Sequence, residues 1–136
     1  MISEKIYQSV FDELNKYLIS DWSKLIVYIE YGEESYSIEF YEKNDSEYIK
    51  CYDLPGVSEK DMAKSFSTID KLFSIERNKF SGDLWTNMTM VVSRKGKMHI
   101  DFDYSDLSSG TYMFKKKWKE KYLESQSQIL CKLQIV

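Results

Sequence analysis

The sequence predicts an α+β fold: a single domain in which an antiparallel sheet of about five strands carries packed helices. Three observations lead there. Apolar residues recur at helical spacing in two separate stretches, runs dense in β-branched and aromatic residues follow each of them, and neighbouring runs are joined by links too short for a parallel crossover. The 136 residues are 43% hydrophobic and 15% aromatic, with one Pro and five Gly, the make-up of one folded globule with one ordinary core.

Ile2, Ile6, Val10, Leu14 and Leu18 recur at helical spacing, broadened by Tyr7, Phe11 and Tyr17, which predicts an amphipathic helix over residues 1–18 ended by Ser20 and Asp21. Residues 25–31 are dense in strand formers. Gly32 then supplies a turn before Tyr36, Ile38 and Phe40 alternate with Ser37, Glu39 and Tyr41, a hairpin with one polar face. A third, shorter strand is expected over 48–52, before the Pro55-Gly56 break. Ser58, followed three residues later by Asp61, opens a second helix running to about residue 78, with Met62, Phe66, Ile69, Leu72 and Phe73 as its apolar stripe.

Strands resume at 87–93 and 97–104, joined by Arg94-Lys95-Gly96, where the Gly can adopt a positive φ. In the second of these Met98, Ile100, Phe102 and Tyr104 share one face and His99, Asp101 and Asp103 the other. A last helix is expected over 112–124. The order is helix, three strands, helix, two strands, helix, with the helices on one face of the sheet. Residues 1–123 form the domain, and 124–136 form a tail in which Ile129, Cys131, Leu133 and Ile135 alternate with other residues, a candidate added edge strand.

The formal charge of -3, from 22 Asp and Glu against 19 Lys and Arg, is not that of a basic nucleic-acid binder. Its distribution is two-signed: acids crowd residues 30–61, and lysines crowd the segment from Thr111 onward. Cys51 and Cys131 lie far apart without a pairing or zinc framework, which fits a reducing compartment. No basic-then-apolar leader and no long apolar run is present, so the expectation is a cytoplasmic protein, neither exported by a cleaved signal nor membrane-spanning.

Little in the chain is arranged for chemistry. His99 has no Cys or Ser motif beside it, and no phosphate loop, nucleophile elbow or metalloprotease motif occurs, so no catalytic residue is assigned. Asp101 and Asp103, two apart on a strand, project to one surface and are the candidate Mg²⁺ ligands of a small phosphodiesterase or nuclease, although such a site needs further carboxylates or a base. The plainest alternative is the solvated face of an amphipathic strand. The third reading makes Asp101, Asp103 and Asp106, with the hairpin acids Glu30, Glu39 and Glu42, an acidic surface that docks a basic protein. Trp22, Trp85 and Trp118 read as core residues. The Lys115-Lys116-Lys117 run, with Lys119 and Lys121, reads as a solvated helix end.

Trp85-Thr86-Asn87-Met88-Thr89, then Gly96, then Ile100-Asp101-Phe102-Asp103-Tyr104-Ser105-Asp106-Leu107, and a late Trp118-Lys119-Glu120-Lys121-Tyr122-Leu123 follow one another. In this run the chain resembles the YezG/EsaG-type immunity protein family over about residues 1–123. The resemblance implies a cytoplasmic antitoxin of Gram-positive bacteria that binds a cognate nuclease toxin exported by type VII secretion. It implies no catalysis and no cofactor, and it supplies no defined set of contact residues; no metal site, no membrane contact and no direct contact with nucleic acid are expected from the residues themselves. A self-associating module, a homodimer with the tail pairing between copies, is the remaining alternative.

Overall fold

The computed structural model describes residues 4–32, 34–77 and 84–123. Its elements are α1 (Glu4–Asn15), β1 (Lys24–Tyr31), β2 (Tyr36–Lys43), β3 (Tyr48–Lys50), α2 (Glu59–Arg77), β4 (Asn87–Ser93), β5 (Met98–Asp103) and α3 (Tyr112–Tyr122). The expected α-β-β-β-α-β-β-α order is the observed one. The strands form one antiparallel sheet in the order β3-β2-β1-β4-β5. The third strand is shorter than expected, because Cys51–Asp53 closes into a 3₁₀ turn ahead of Pro55. The tail at 124–136, with its candidate edge strand, lies outside the described residues, as does the last residue of the expected second helix.

Local signals work as the residue types dictate. Ser58 Oγ accepts from the Asp61 backbone N–H at 3.3 Å at the start of α2. Gly96 takes φ 92° in the β4–β5 turn, a conformation that a side chain would strain. Register then sorts the faces. Leu25, Val27 and Ile29 of β1 share a face with Ile38 and Phe40 of β2 and Met88, Met90 and Val92 of β4, and α1 and α2 cover it with Val10, Leu14, Met62, Phe66, Ile69 and Phe73. All of these are buried, and Trp85 closes the end of the core.

The second face is covered too, which the expectation of helices on one face did not include. Ile26, Tyr28 and Tyr41 are buried beneath α3, whose Trp118 is 4% exposed, with Phe114, Tyr122 and Leu123 beside it. Roofing on both sides is why β1 and β4 read as nearly continuous apolar runs instead of alternating.

Candidate protein-docking surface

α3 is the element that organises the second face. Trp118 Nε1 donates to Thr89 Oγ1 at 2.8 Å, and its ring lies 5.0 Å from that of Tyr28 and 5.7 Å from that of Tyr41. Tyr122 donates its hydroxyl to Asp101 Oδ2 at 2.5 Å. Lys115 does not behave as part of a solvated helix end: its Nζ sits 3.8 Å from the Tyr28 ring centroid and 4.1 Å from that of Trp118, and it pairs with Glu39. Burial pulls the Lys115 ammonium pKa down. Glu39 is pushed up by burial but held below the usual carboxylate range, chiefly by the hydrogen bond and charge of Lys115.

The two strand aspartates are likewise engaged. Asp101 accepts from Tyr122 and lies 2.8 Å from His99 Nε2. Asp103 accepts from Asn87 Nδ2 at 2.8 Å and from the Ser105 backbone N–H at 3.0 Å. Desolvation raises both carboxyl pKa values, and these donors together with Lys121 outweigh it, leaving both lowered. With Thr89, Phe114, Lys117, Lys121 and Trp118 they line a cleft of about 300 Å³ between the sheet and α3.

A larger groove of about 1100 Å³ opens at the end of the sheet, between the β1–β2 hairpin and the β5–α3 loop. Glu30, Glu34 and Asp106 line it, with Tyr36, Leu84, Leu107 and Thr86. Tyr28 donates to Glu30 at 2.7 Å, and the Ser108 backbone N–H donates to Asp106 Oδ1 at 2.9 Å and lowers its pKa. Arg77, the cation among the groove's described residues, is turned to structural use: Nε and Nη2 donate to the Trp85 carbonyl at 3.1 and 2.8 Å, and its guanidinium lies 4.8 Å from the Tyr31 ring centroid. The exposed side chains Tyr36, Leu84, Tyr104, Tyr112 and Met113 belong to the same strand ends and to the first turn of α3.

The six carboxylates singled out in the sequence are therefore sorted into four places. Glu30 and Asp106 meet in the groove, and Asp101 and Asp103 in the adjoining cleft, while Glu39 lies under α3. Glu42 is on the core face, 0% exposed, accepting from the Ile19 backbone N–H at 2.9 Å, and is on no outer surface. Lys115 reads in the sequence only as part of a solvated helix end, and Glu34 and Tyr122 carry no site role there, although the spacing of Phe114, Trp118 and Tyr122 along α3 is itself a signal for the last. Trp85 and Trp118 are buried as read, and Trp22 is half-buried. Among the described residues no group of three or more His, Cys, Asp or Glu is placed to hold a metal ion, and no helix is long and apolar enough to cross a membrane.

Comparison with known proteins places the chain among immunity proteins. Immunity protein YezG of Bacillus subtilis (strain 168) is 27% identical over 114 residues, covering 76% of this chain and 74% of that protein. Immunity protein YezG of Bacillus spizizenii is 25% identical over 114 residues, covering 75% of this chain and 68% of that protein. The family model described as "Immunity protein YezG-like" matches residues 3–129, nearly the whole sequence, and the chain belongs to that immunity protein family.

Proposed function

We propose that this chain is an antitoxin that binds and neutralises a cognate nuclease toxin of the type VII secretion route in the cytoplasm of the producing cell, using the acidic groove and making or breaking no bond. Family membership supports the immunity role. The single observation that carries the docking site is the meeting of Glu30, Glu34 and Asp106 in one groove where Arg77, the cation among its described residues, is already held by the Trp85 carbonyl. A nuclease must present a basic surface to phosphates, and an acidic groove with aromatic and aliphatic walls complements it in charge while Tyr36 supplies contact area. The Asp101 and Asp103 cleft adjoins through Asn87, which pairs with Glu30 on one side and Asp103 on the other. The phosphodiesterase alternative makes Asp101 and Asp103 metal ligands, whereas Asp101 Oδ2 accepts from Tyr122 and Asp103 Oδ2 from Asn87 and Ser105, hydrogen bonds that give both carboxylates structural work.

The test is Glu30→Lys combined with Asp106→Lys, assayed for association with the toxin's nuclease domain and for inhibition of its cleavage. Association is expected to slow by about tenfold or more at low salt, with the melting temperature retained. Unchanged on-rate and affinity in the folded variant removes the groove from the interface. Metal-dependent hydrolysis of nucleic acid by the purified chain, abolished by Asp101→Asn, overturns the non-enzymatic reading.

A further inference from the structure

The two edges of the sheet are unlike. β3, at one end, is three residues long, whereas β5, at the other, runs for six residues in unbroken register with β4 and contains no proline. Ser93 N donates to the Lys97 carbonyl at 2.8 Å at the turn, and Thr86 N donates to the Asp103 carbonyl at 2.9 Å at the far end. Lys97, His99, Asp101 and Asp103 therefore direct their backbone groups to β4, and the N–H and C=O groups of Met98, Ile100 and Phe102 point to the other side, where no strand pairs among the described residues. Those three side chains lie on the core face, Ile100 packed against the buried cluster and Met98 37% and Phe102 39% exposed. An apolar edge of this length is a template for another strand.

The geometry points to antiparallel pairing of this edge with β5 of a second copy, about a two-fold axis at Ile100. Outward-bonding residues oppose one another in such a pair, so the register is set by where the axis falls. With the axis at Ile100, Met98 faces the partner's Phe102 and Ile100 faces the partner's Ile100 on the apolar side. On the other side His99 faces the partner's Asp101, and Lys97 faces the partner's Asp103. Every row then joins apolar to apolar, or a basic group to a carboxylate. Moving the axis to Asp101 sets Asp101 against the partner's Asp101, and moving it to His99 sets two imidazoles together. The Ile100 register alone has no like-with-like polar row, and the two-fold closes the assembly. None of the residues lining the groove belongs to β5, so this contact and toxin docking are separable.

Sedimentation of the full chain at micromolar concentration is expected to show a dimer. Lys97→Asp or Asp103→Lys alone weakens association by about tenfold, and the combined exchange K97D/D103K restores it. Because Asp103 also holds Asn87, the restoration carries the register rather than the loss. Ile100→Cys in a Cys131→Ser background is expected to cross-link under mild oxidation, since the central bonded pair places its Cα atoms about 5.5 Å apart, while His99→Cys alone is not. A monomeric full chain overturns the proposal, as does a dimer that neither cross-links at position 100 nor responds to the charge exchange. A chain that dimerises only once residues 124–136 are removed also overturns it, because its own tail then covers the edge.

Discussion

Tyr122 and Asp101 meet at 2.5 Å, the phenol donating to a carboxylate across the gap between the last turn of α3 and the edge strand β5. The contact ties the helix roof to the strand that bears the only histidine, and its loss has a readable cost. Tyr122→Phe is expected to destabilise the fold by about 1–2 kcal/mol, in the range for a hydrogen bond to a charged group that keeps some access to water. Urea unfolding measures it, and Tyr122→Phe on an Asp101→Asn background should cost clearly less.

The Lys115–Glu39 pair anchors the other end of the same helix. Its side chains are 19% and 15% exposed, so removing one leaves a poorly solvated charge. Lys115→Met is expected to destabilise by about 2–4 kcal/mol, and adding Glu39→Gln to recover much of that. A double-mutant cycle by thermal or chemical unfolding reads the coupling; strictly additive losses would contradict the contact.

Glu42 gives a prediction of opposite sign. Burial pushes its carboxyl pKa up, the Ile19 N–H lowers it less, and Asp21 raises it further; one of its oxygens has no partner. A carboxyl with a raised folded pKa opposes folding progressively as pH rises above its unfolded value. Glu42→Gln should therefore stabilise by about 1 kcal/mol at neutral pH, an advantage that fades toward about pH 4. Toxin affinity should be unchanged, since the residue is on no outer surface.

Asp101 and Asp103 titrate lower when folded than when unfolded. The stability they contribute is complete above the unfolded carboxylate range and is lost as pH falls through their folded values, below about pH 4. Unfolding curves across that window should flatten when both are changed to Asn.

Salt separates the groove from the core. Association with the toxin should slow steeply as ionic strength rises and the Debye length shrinks below about 10 Å, while dissociation changes little. Stopped-flow traces over a salt series provide the measurement, and a salt-independent on-rate would count against electrostatic docking.

Much of this fold was legible because short-range rules decide it. Ser58 caps α2, Gly96 turns the β4–β5 hairpin, and helical spacing marks α1 and α2. The placement of α3 on the second face depends on tertiary packing, although the apolar run Leu25–Ile29 and the nearly continuous Met88–Val92, broken only by Thr89, carried a sign of it, since a sheet wet on one side alternates. The grouping of Glu39 with Glu42 failed on parity: residues three apart on a strand point to opposite faces, so one meets α3 and the other enters the core. Lys115 was hidden for a different reason. Nothing in a lysine run says which member is laid between two aromatic rings, and that is decided by the angle at which α3 crosses Tyr28.

The unequal roofs of the sheet have a kinetic consequence. Among the described residues two helices sharing an aliphatic and aromatic core hold one side, while the other rests on one 11-residue helix fastened at Glu39, Thr89 and Asp101. Amide exchange in α3 should accordingly proceed through a local opening of lower free energy than global unfolding, and each such excursion bares Tyr28 and Tyr41 while the opposite layer stays shut.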